Sequence, residues 1–286
     1  MKVGFIGLGN QGGPMAQMIH RAGFDLRIWA RRAEVCADYR RQGIHVAADP
    51  AMLAADCDAV CLCVTGDDDV YELSETEGLL QAMRAGSALL IHSTVSPQMC
   101  EQLARAGSQH GVMVVDAPVS GSGEAALNRR LLVLVGGERE AVRLVRPVLE
   151  SYGDPILHVG AVGDGQRAKI VNNLACIGNM ALADLALQLG ESVGLDRGIL
   201  RDALLAGSGR SFALGQLDGV VRPSTAGHVA ALFEKDLGLA KGLSNVGGTG
   251  LSGAETLVEA FLQVLRSDPR AVGLTPDRPP GHTAKH

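Results

Sequence analysis

Short apolar runs alternate with amphipathic stretches through the first half of the chain. The runs at residues 2–7, 26–30, 59–64, 88–91, 112–115 and 131–135 have the length of buried strands and are bounded by turn-forming residues. Between them, residues 12–22 and 97–109 place apolar side chains at helical spacing. Strands alternating with helices predict a doubly wound, mostly parallel sheet covered on both faces. Two helix starts are written into the sequence. Asp49-Pro50 and Ser96-Pro97 each set a capping side chain before a proline at the first helical position.

Beyond about residue 161 the strand signals stop. Residues 165–192 read as one long helix, and Ala-, Leu- and Gly-rich helical patterns continue to about Arg266. The expected organisation is an α/β domain over 1–161, an all-helical domain over 162–274 and a tail over 275–286. Pro276, Pro279, Pro280 and Gly281 among polar residues predict that the tail is disordered. No internal repeat is present.

Composition narrows the function classes. A net charge of -5 gives no electrostatic case for nucleic acid, and 3% aromatic residues provide no stacking platform for bases. No run of about 18 uninterrupted apolar residues occurs, so no membrane span or membrane partner is expected. The apolar start Val3-Gly4-Phe5-Ile6 is too short for a signal peptide and runs into glycines, as a strand would. The six cysteines form no Cys-x-x-Cys pair and the eight histidines form no metal-spaced cluster. A reducing, cytoplasmic setting without a metal is the expectation.

The apolar run 2–7 leads directly into Gly7-Leu8-Gly9-Asn10-Gln11-Gly12, followed by a helical pattern, Gly23 and a second strand. A lone G-x-G-x-x-G is weak evidence, but between a strand and a helix it is the fingerprint of a dinucleotide-binding unit. Gly7 would make the tight turn, Gly9 would admit the pyrophosphate and Gly12 would let helix and strand approach closely. The second strand ends Ile28-Trp29-Ala30-Arg31-Arg32. The acid that accepts from the ribose 2′-hydroxyl of NAD is missing there, and Arg31 and Arg32 suit a 2′-phosphate. NADP(H) is therefore expected over NAD(H). The plain alternative is a pair of solvated surface arginines.

The stretch 5–16, Phe-Ile-Gly-Leu-Gly-Asn-Gln-Gly-Gly-Pro-Met-Ala, resembles the opening signature of the β-hydroxyacid dehydrogenases. These include 3-hydroxyisobutyrate dehydrogenase, tartronate semialdehyde reductase and the succinic semialdehyde/glyoxylate reductases. The resemblance continues through Ser93-Thr94-Val95-Ser96-Pro97, Asp116-Ala117-Pro118-Val119-Ser120-Gly121, residues 163–173 and Lys235-Asp236-Leu237-Gly238. It implies a Rossmann domain, a long interdomain helix and an all-helical domain that mediates homodimers or homotetramers. It implies that Lys169 is the catalytic residue and that Asn173, Ser120 and Gly121 hold a small carboxylate-bearing substrate. Thr94 and Lys235 would contact the nicotinamide end of the cofactor, and Val64 and Thr65 would line its ribose and pyrophosphate.

The chemistry suits these positions. Lys169 and Asn173 are four residues apart and share a helix face. The positive end of the helix dipole near Gly165 disfavours an ammonium, which helps a lysine exchange a proton with a hydroxyl or a carbonyl. Outside this motif Lys169 would read as a solvated helix lysine, and Lys235-Asp236 as an exposed charge pair. Ser122, Ala125, Arg129, Arg130 and Gly66 depart from the family pattern around the substrate side. Arg129-Arg130 either add positive potential toward a more highly charged acid or form a solvated loop pair. Two other readings share the fold: an imine reductase, in which the lysine is generally replaced, and a non-catalytic dinucleotide-binding module. A 6-phosphogluconate dehydrogenase would need a considerably larger helical domain.

Overall fold

The structure is a computed structural model that describes residues 1–220 and 224–267. The expected tail at 275–286 lies outside the described residues, as do 268–274. The chain divides into two compact units, Met1–Lys169 and Ile170–His286. The sequence placed this division at 161. The difference is the start of the long helix, whose first turn is hydrogen-bonded into the α/β unit.

The α/β unit is built on parallel strands β1 (Lys2–Ile6), β2 (Asp25–Trp29), β3 (His45–Val46), β4 (Ala59–Leu62), β5 (Ala88–Ile91) and β6 (Met113–Asp116) in the order β3-β2-β1-β4-β5-β6. Strand β8 (Leu131–Gly136) extends the sheet antiparallel to β6 and to β7 (Val119–Ser120), and β9 (Gly153–Gly160) runs parallel to β8. The central strands are apolar throughout because both faces are covered. Ala59, Cys61, Ala88 and Leu90 pack into one core, and Val60, Leu62, Leu89 and Ile91 into the other. Helix α1 (Gly12–Arg21) contributes Met15, Ala16 and Ile19 to the first, and α6 (Pro97–Ser108) contributes Cys100 and Leu103 to the second.

Both caps read from the sequence are made. Asp49 accepts from Met52 N–H at 2.6 Å and Ser96 from Met99 N–H at 3.2 Å. Strands β3, β7 and β9 carried no sequence signal. The first two are two residues long. The third is half exposed and contains Pro155, which is tolerated because β9 is an edge that pairs with β8.

Helix α9 (Asp164–Ser192) passes from the first unit into the second. The second unit holds its remaining turns with α10 (Arg197–Ala206), α11 (Phe212–Val220), α12 (Ala226–Gly247) and α13 (Ser252–Ser267). Its core joins Ile177, Met180 and Leu187 of α9 to Leu214 and Leu217 of α11 and to Val258, Phe261 and Leu265 of α13. By length and composition α9 is apolar enough to cross a membrane, with 39% of the qualifying window buried. The rule of uninterrupted apolar runs does not flag it because Asn172, Asn173, Asn179 and Asp184 interrupt the stretch, although its mean hydropathy still reaches 1.4.

Candidate active site

The glycine-rich loop joins β1 to α1. Gly7 has φ +99°, and a Cβ there would lie 2.1 Å from the Cys63 carbonyl oxygen. A Cβ on Gly12 would lie 2.0 Å from the Gly7 carbonyl oxygen. These two glycines are demanded by the fold. Gly9 is different: a Cβ there meets no heavy atom within 4 Å. The space in front of Gly9 is open, as a close-approaching pyrophosphate requires. Gln11, at the N-cap of α1, makes no capping bond with its side chain, so it does not itself satisfy the first N–H groups of the helix, which suit an anion. The strand order reverses between β1 and β4, which is where an open α/β sheet forms its crevice. These residues fit a dinucleotide.

At the end of β2, Arg31 and Arg32 are exposed. Arg31 donates from Nη1 to Asp69 Oδ1 at 2.7 Å and from Nη2 to Glu72 Oε2 at 2.5 Å. Asp69 lies on α4 (Asp67–Tyr71) and Glu72 opens the π-helical turn Glu72–Thr76 that follows it. Two carboxylates therefore flank Arg31 in space. They arrive from the segment after β4, a part of the chain too distant for a local pattern to reveal.

The remaining loops of the unit are stitched together by buried polar groups. Val64 N–H donates to Ser93 Oγ at 2.8 Å, and Ser96 N–H donates to Asp67 Oδ1 at 2.9 Å. These bonds tie the segment of Val64 and Thr65 to the loop of Thr94. Asp116, at the end of β6, accepts from Gly163 N–H at 2.7 Å and from Gln166 N–H at 2.8 Å. The Gln166 side chain then spans to the β5 loop, donating to the Ser93 carbonyl at 2.8 Å and accepting from Val95 N–H at 3.1 Å. Space for the Asp116 carboxylate exists because Gly136 and Gly165 carry no Cβ, which would otherwise sit 2.4 Å and 2.7 Å from its oxygens. Burial pushes the Asp116 carboxyl up to about 6, against the pull of the two backbone N–H donors.

Past β7, Gly121 takes φ +129°, a conformation that favours glycine. Ser122 caps α7 (Gly123–Leu127) by accepting from Ala125 N–H at 3.3 Å. At Gly123 the backbone approaches the glycine-rich loop so closely that a Cβ would lie 2.5 Å from the Asn10 carbonyl oxygen. The Ser120-Gly121 segment thus leads straight to the glycine-rich loop. Arg129 donates from Nε and Nη2 to the Glu150 carbonyl at 3.2 Å and 3.0 Å. That bond uses Arg129 as a local brace at the end of α8 (Arg139–Leu149).

Lys169 lies on the second turn of α9 and is 8% exposed. In the helical unit, Asn173 donates to Asp236 Oδ2 at 2.7 Å, and Lys235 Nζ lies 3.3 Å from Asp236 Oδ1. Asp236 thus links two of the expected site residues. The expected residues therefore group by unit. Gly7, Leu8, Gly9, Asn10, Gln11, Gly12, Arg31, Arg32, Val64, Thr65, Thr94, Ser120, Gly121 and Lys169 belong to the first, and Asn173 and Lys235 to the second. Sequence reading quoted Asp116 and Gln166 within motifs but gave them no role. Their value lies in bonds to distant loops.

Known proteins resemble the chain over most of its length. The family described as the NAD binding domain of 6-phosphogluconate dehydrogenase matches residues 2–160. That described as NAD-binding of NADP-dependent 3-hydroxyisobutyrate dehydrogenase matches residues 163–271. The mitochondrial 3-hydroxyisobutyrate dehydrogenase of Mus musculus is 34% identical over 84% of this chain and 74% of its own. Among solved structures, the 3-hydroxyisobutyrate dehydrogenase of Mycobacterium tuberculosis with L-serine superposes with TM-score 0.83 at 25% identity, over 95% of this chain and 98% of that one. Psf3 in complex with NADP+ and 2-OPP superposes with TM-score 0.74 at 32% identity, over 84% of this chain and 86% of that one. The imine reductase of Myxococcus stipitatus, at 17% identity and TM-score 0.67, shares the fold alone.

Two outcomes are expected from this geometry. Gly9→Ala keeps the melting temperature of the parent but weakens nucleotide binding by at least about tenfold, whereas Gly12→Ala lowers the melting temperature as well. Equal loss of stability in both would remove the case for Gly9 as a ligand contact. The second concerns Asp116. Its folded value lies above its unfolded one, so the protonated carboxyl favours the fold. That contribution is complete below about pH 4 and is lost as pH rises through about 6. Denaturant titrations should show the parent losing about 2 kcal/mol relative to Asp116→Asn between about pH 4.5 and about pH 7.5. Parallel pH curves would show that Asp116 has an ordinary carboxyl.

Proposed function

Because the chain belongs to the β-hydroxyacid dehydrogenase family of the 3-hydroxyisobutyrate dehydrogenase type, and is thus an NAD(P)-dependent oxidoreductase, we propose that it interconverts a small β-hydroxyacid and its semialdehyde or oxo acid, with Lys169 as general acid and base. The observation that carries this reading is the seating of Lys169. Lysine is seldom buried without a task. Here it follows one turn after Gln166, whose backbone and side chain are both anchored to the loops of the α/β unit.

The bound nicotinamide supplies the hydride acceptor or donor. The chain supplies position and the proton. In the oxidative direction Lys169 takes the proton of the substrate hydroxyl, and in the reductive direction it returns one to the carbonyl oxygen. Ser120 and Gly121 suit a small carboxylate, since a glycine-containing turn presents backbone N–H groups to an anion. Asn173, one turn beyond Lys169 on the same helix, suits a substrate oxygen. Thr94 and Lys235 are assigned to the nicotinamide end of the cofactor, and Val64 and Thr65 to its ribose and pyrophosphate. Arg31 and Arg32 support a preference for NADP(H), tempered by the acids that Arg31 already binds. A homo-oligomer is supported by an exposed stripe on α9, where Leu182, Leu185 and Leu189 recur at helical spacing.

Lys169→Ala should lower kcat/KM by about 10²- to 10⁴-fold with semialdehydes or glyoxylate, while NADPH affinity stays within about twofold. Cofactor fluorescence and absorbance measure the two quantities separately. Undiminished turnover would remove Lys169 from the chemistry, and binding of neither nucleotide would overturn the assignment.

A further inference from the structure

The guanidinium of Arg31 is forked onto two carboxylates that differ in their attachments. Asp69 is the fixed one: its side chain is 24% exposed, and its Oδ2 accepts Thr65 N–H at 3.2 Å while Oδ1 accepts Arg31. The pairing with Arg31 holds its carboxyl below the usual range despite desolvation, which opposes this most strongly. Glu72 is the loose one: its side chain is 53% exposed, and its Oε2 accepts Arg31 Nη2. It begins a single π-helical turn, an irregularity that occurs frequently at functional sites. Asp69 and Glu72 are three residues apart and present one face to the end of β2.

A 2′-phosphate is recognised best when both outer nitrogens of a guanidinium meet it as a fork. In this protein each outer nitrogen already gives one N–H to a carboxylate. A phosphate either uses the N–H groups left over, close to both carboxylates, or takes the place of one of them. Asp69 is tethered to the backbone of the neighbouring loop, so Glu72 is the carboxylate more readily given up. NAD(H) has no phosphate there and makes no such demand.

We propose that Glu72 is a cofactor-selectivity residue, an internal anion that competes with the 2′-phosphate for Arg31 and so limits the preference for NADP(H) over NAD(H). Asp69 acts differently, as the post that keeps the guanidinium over the end of β2. This rests on the reading that Arg31 receives the 2′-phosphate.

The test is a double-mutant cycle in nucleotide binding, with NADPH and NADH titrated by fluorescence into the parent, Glu72→Gln, Arg31→Ala and the double variant. Both substitutions are at exposed positions on the surface. Glu72→Gln should tighten NADPH by about two- to fivefold, the range of an exposed ion pair, and leave NADH unchanged. The gain should shrink at high ionic strength, where exposed charges are screened, and should vanish in the Arg31→Ala background. If Arg31→Ala lowers the NADPH preference but Glu72→Gln leaves it unchanged, Glu72 is no competitor and the proposal falls while the Arg31 reading stands. The proposal also falls if Glu72→Gln tightens NADPH to the same degree without Arg31. If Arg31→Ala itself leaves the preference unchanged, the underlying reading fails and the proposal with it.

Discussion

The carboxylate of Asp116 accepts hydrogen bonds from the backbone of Gly163 and Gln166, and that contact ties together the segments that carry Val64, Thr94 and Lys169. It fastens the start of α9 to the end of β6 and satisfies donors that every helix start leaves open. With the backbone of Gln166 held, its side chain reaches the β5 loop and fixes Ser93 and Val95. Ser93 in turn receives Val64. The loops of Val64 and Thr94 and the turn that carries Lys169 are thus parts of one hydrogen-bonded assembly. A buried anion is kept at neutral pH to hold it, at a cost in stability that the raised carboxyl of Asp116 reflects.

Close backbone approach is the second constraint. Gly7 and Gly12 let β1, α1 and the end of β4 meet, Gly123 brings the α7 turn against Asn10, and Gly136 and Gly165 make room for Asp116. None of these can carry a side chain without moving backbone or a buried carboxylate. Gly9 stands apart because nothing in the protein occupies the space before it. The distinction separates glycines whose missing Cβ the fold itself demands from one whose missing Cβ it does not.

Within each unit, charge near the candidate residues is arranged in opposed pairs more than in a single-sign patch. Arg31 faces Asp69 and Glu72, Arg167 faces Glu101 and Asp164, and Lys235 neighbours Asp236. Such pairing means that an arginine near a cofactor site does not by itself set the field a phosphate meets. The local balance does.

The sequence by itself determined the doubly wound α/β unit, the glycine fingerprint, the long helix and the helical second half. Each of these is encoded by a local period, a cap or a short motif. It set Lys169 and Asn173 four residues apart on one face of the long helix, and the roles given to them come from the family resemblance. Only the tertiary structure decided what Asp116 and Gln166 do, since their partners lie tens of residues away along the chain. It alone brought Asp69 and Glu72 to Arg31 and Asp236 to Asn173. It also revealed β9, whose half-exposed, proline-containing run has no strand pattern of its own and is held by pairing with β8. The physical reason is the same throughout: periodicity and turn chemistry act between near neighbours, whereas hydrogen bonds and ion pairs between loops depend on where the sheet delivers the ends of its strands.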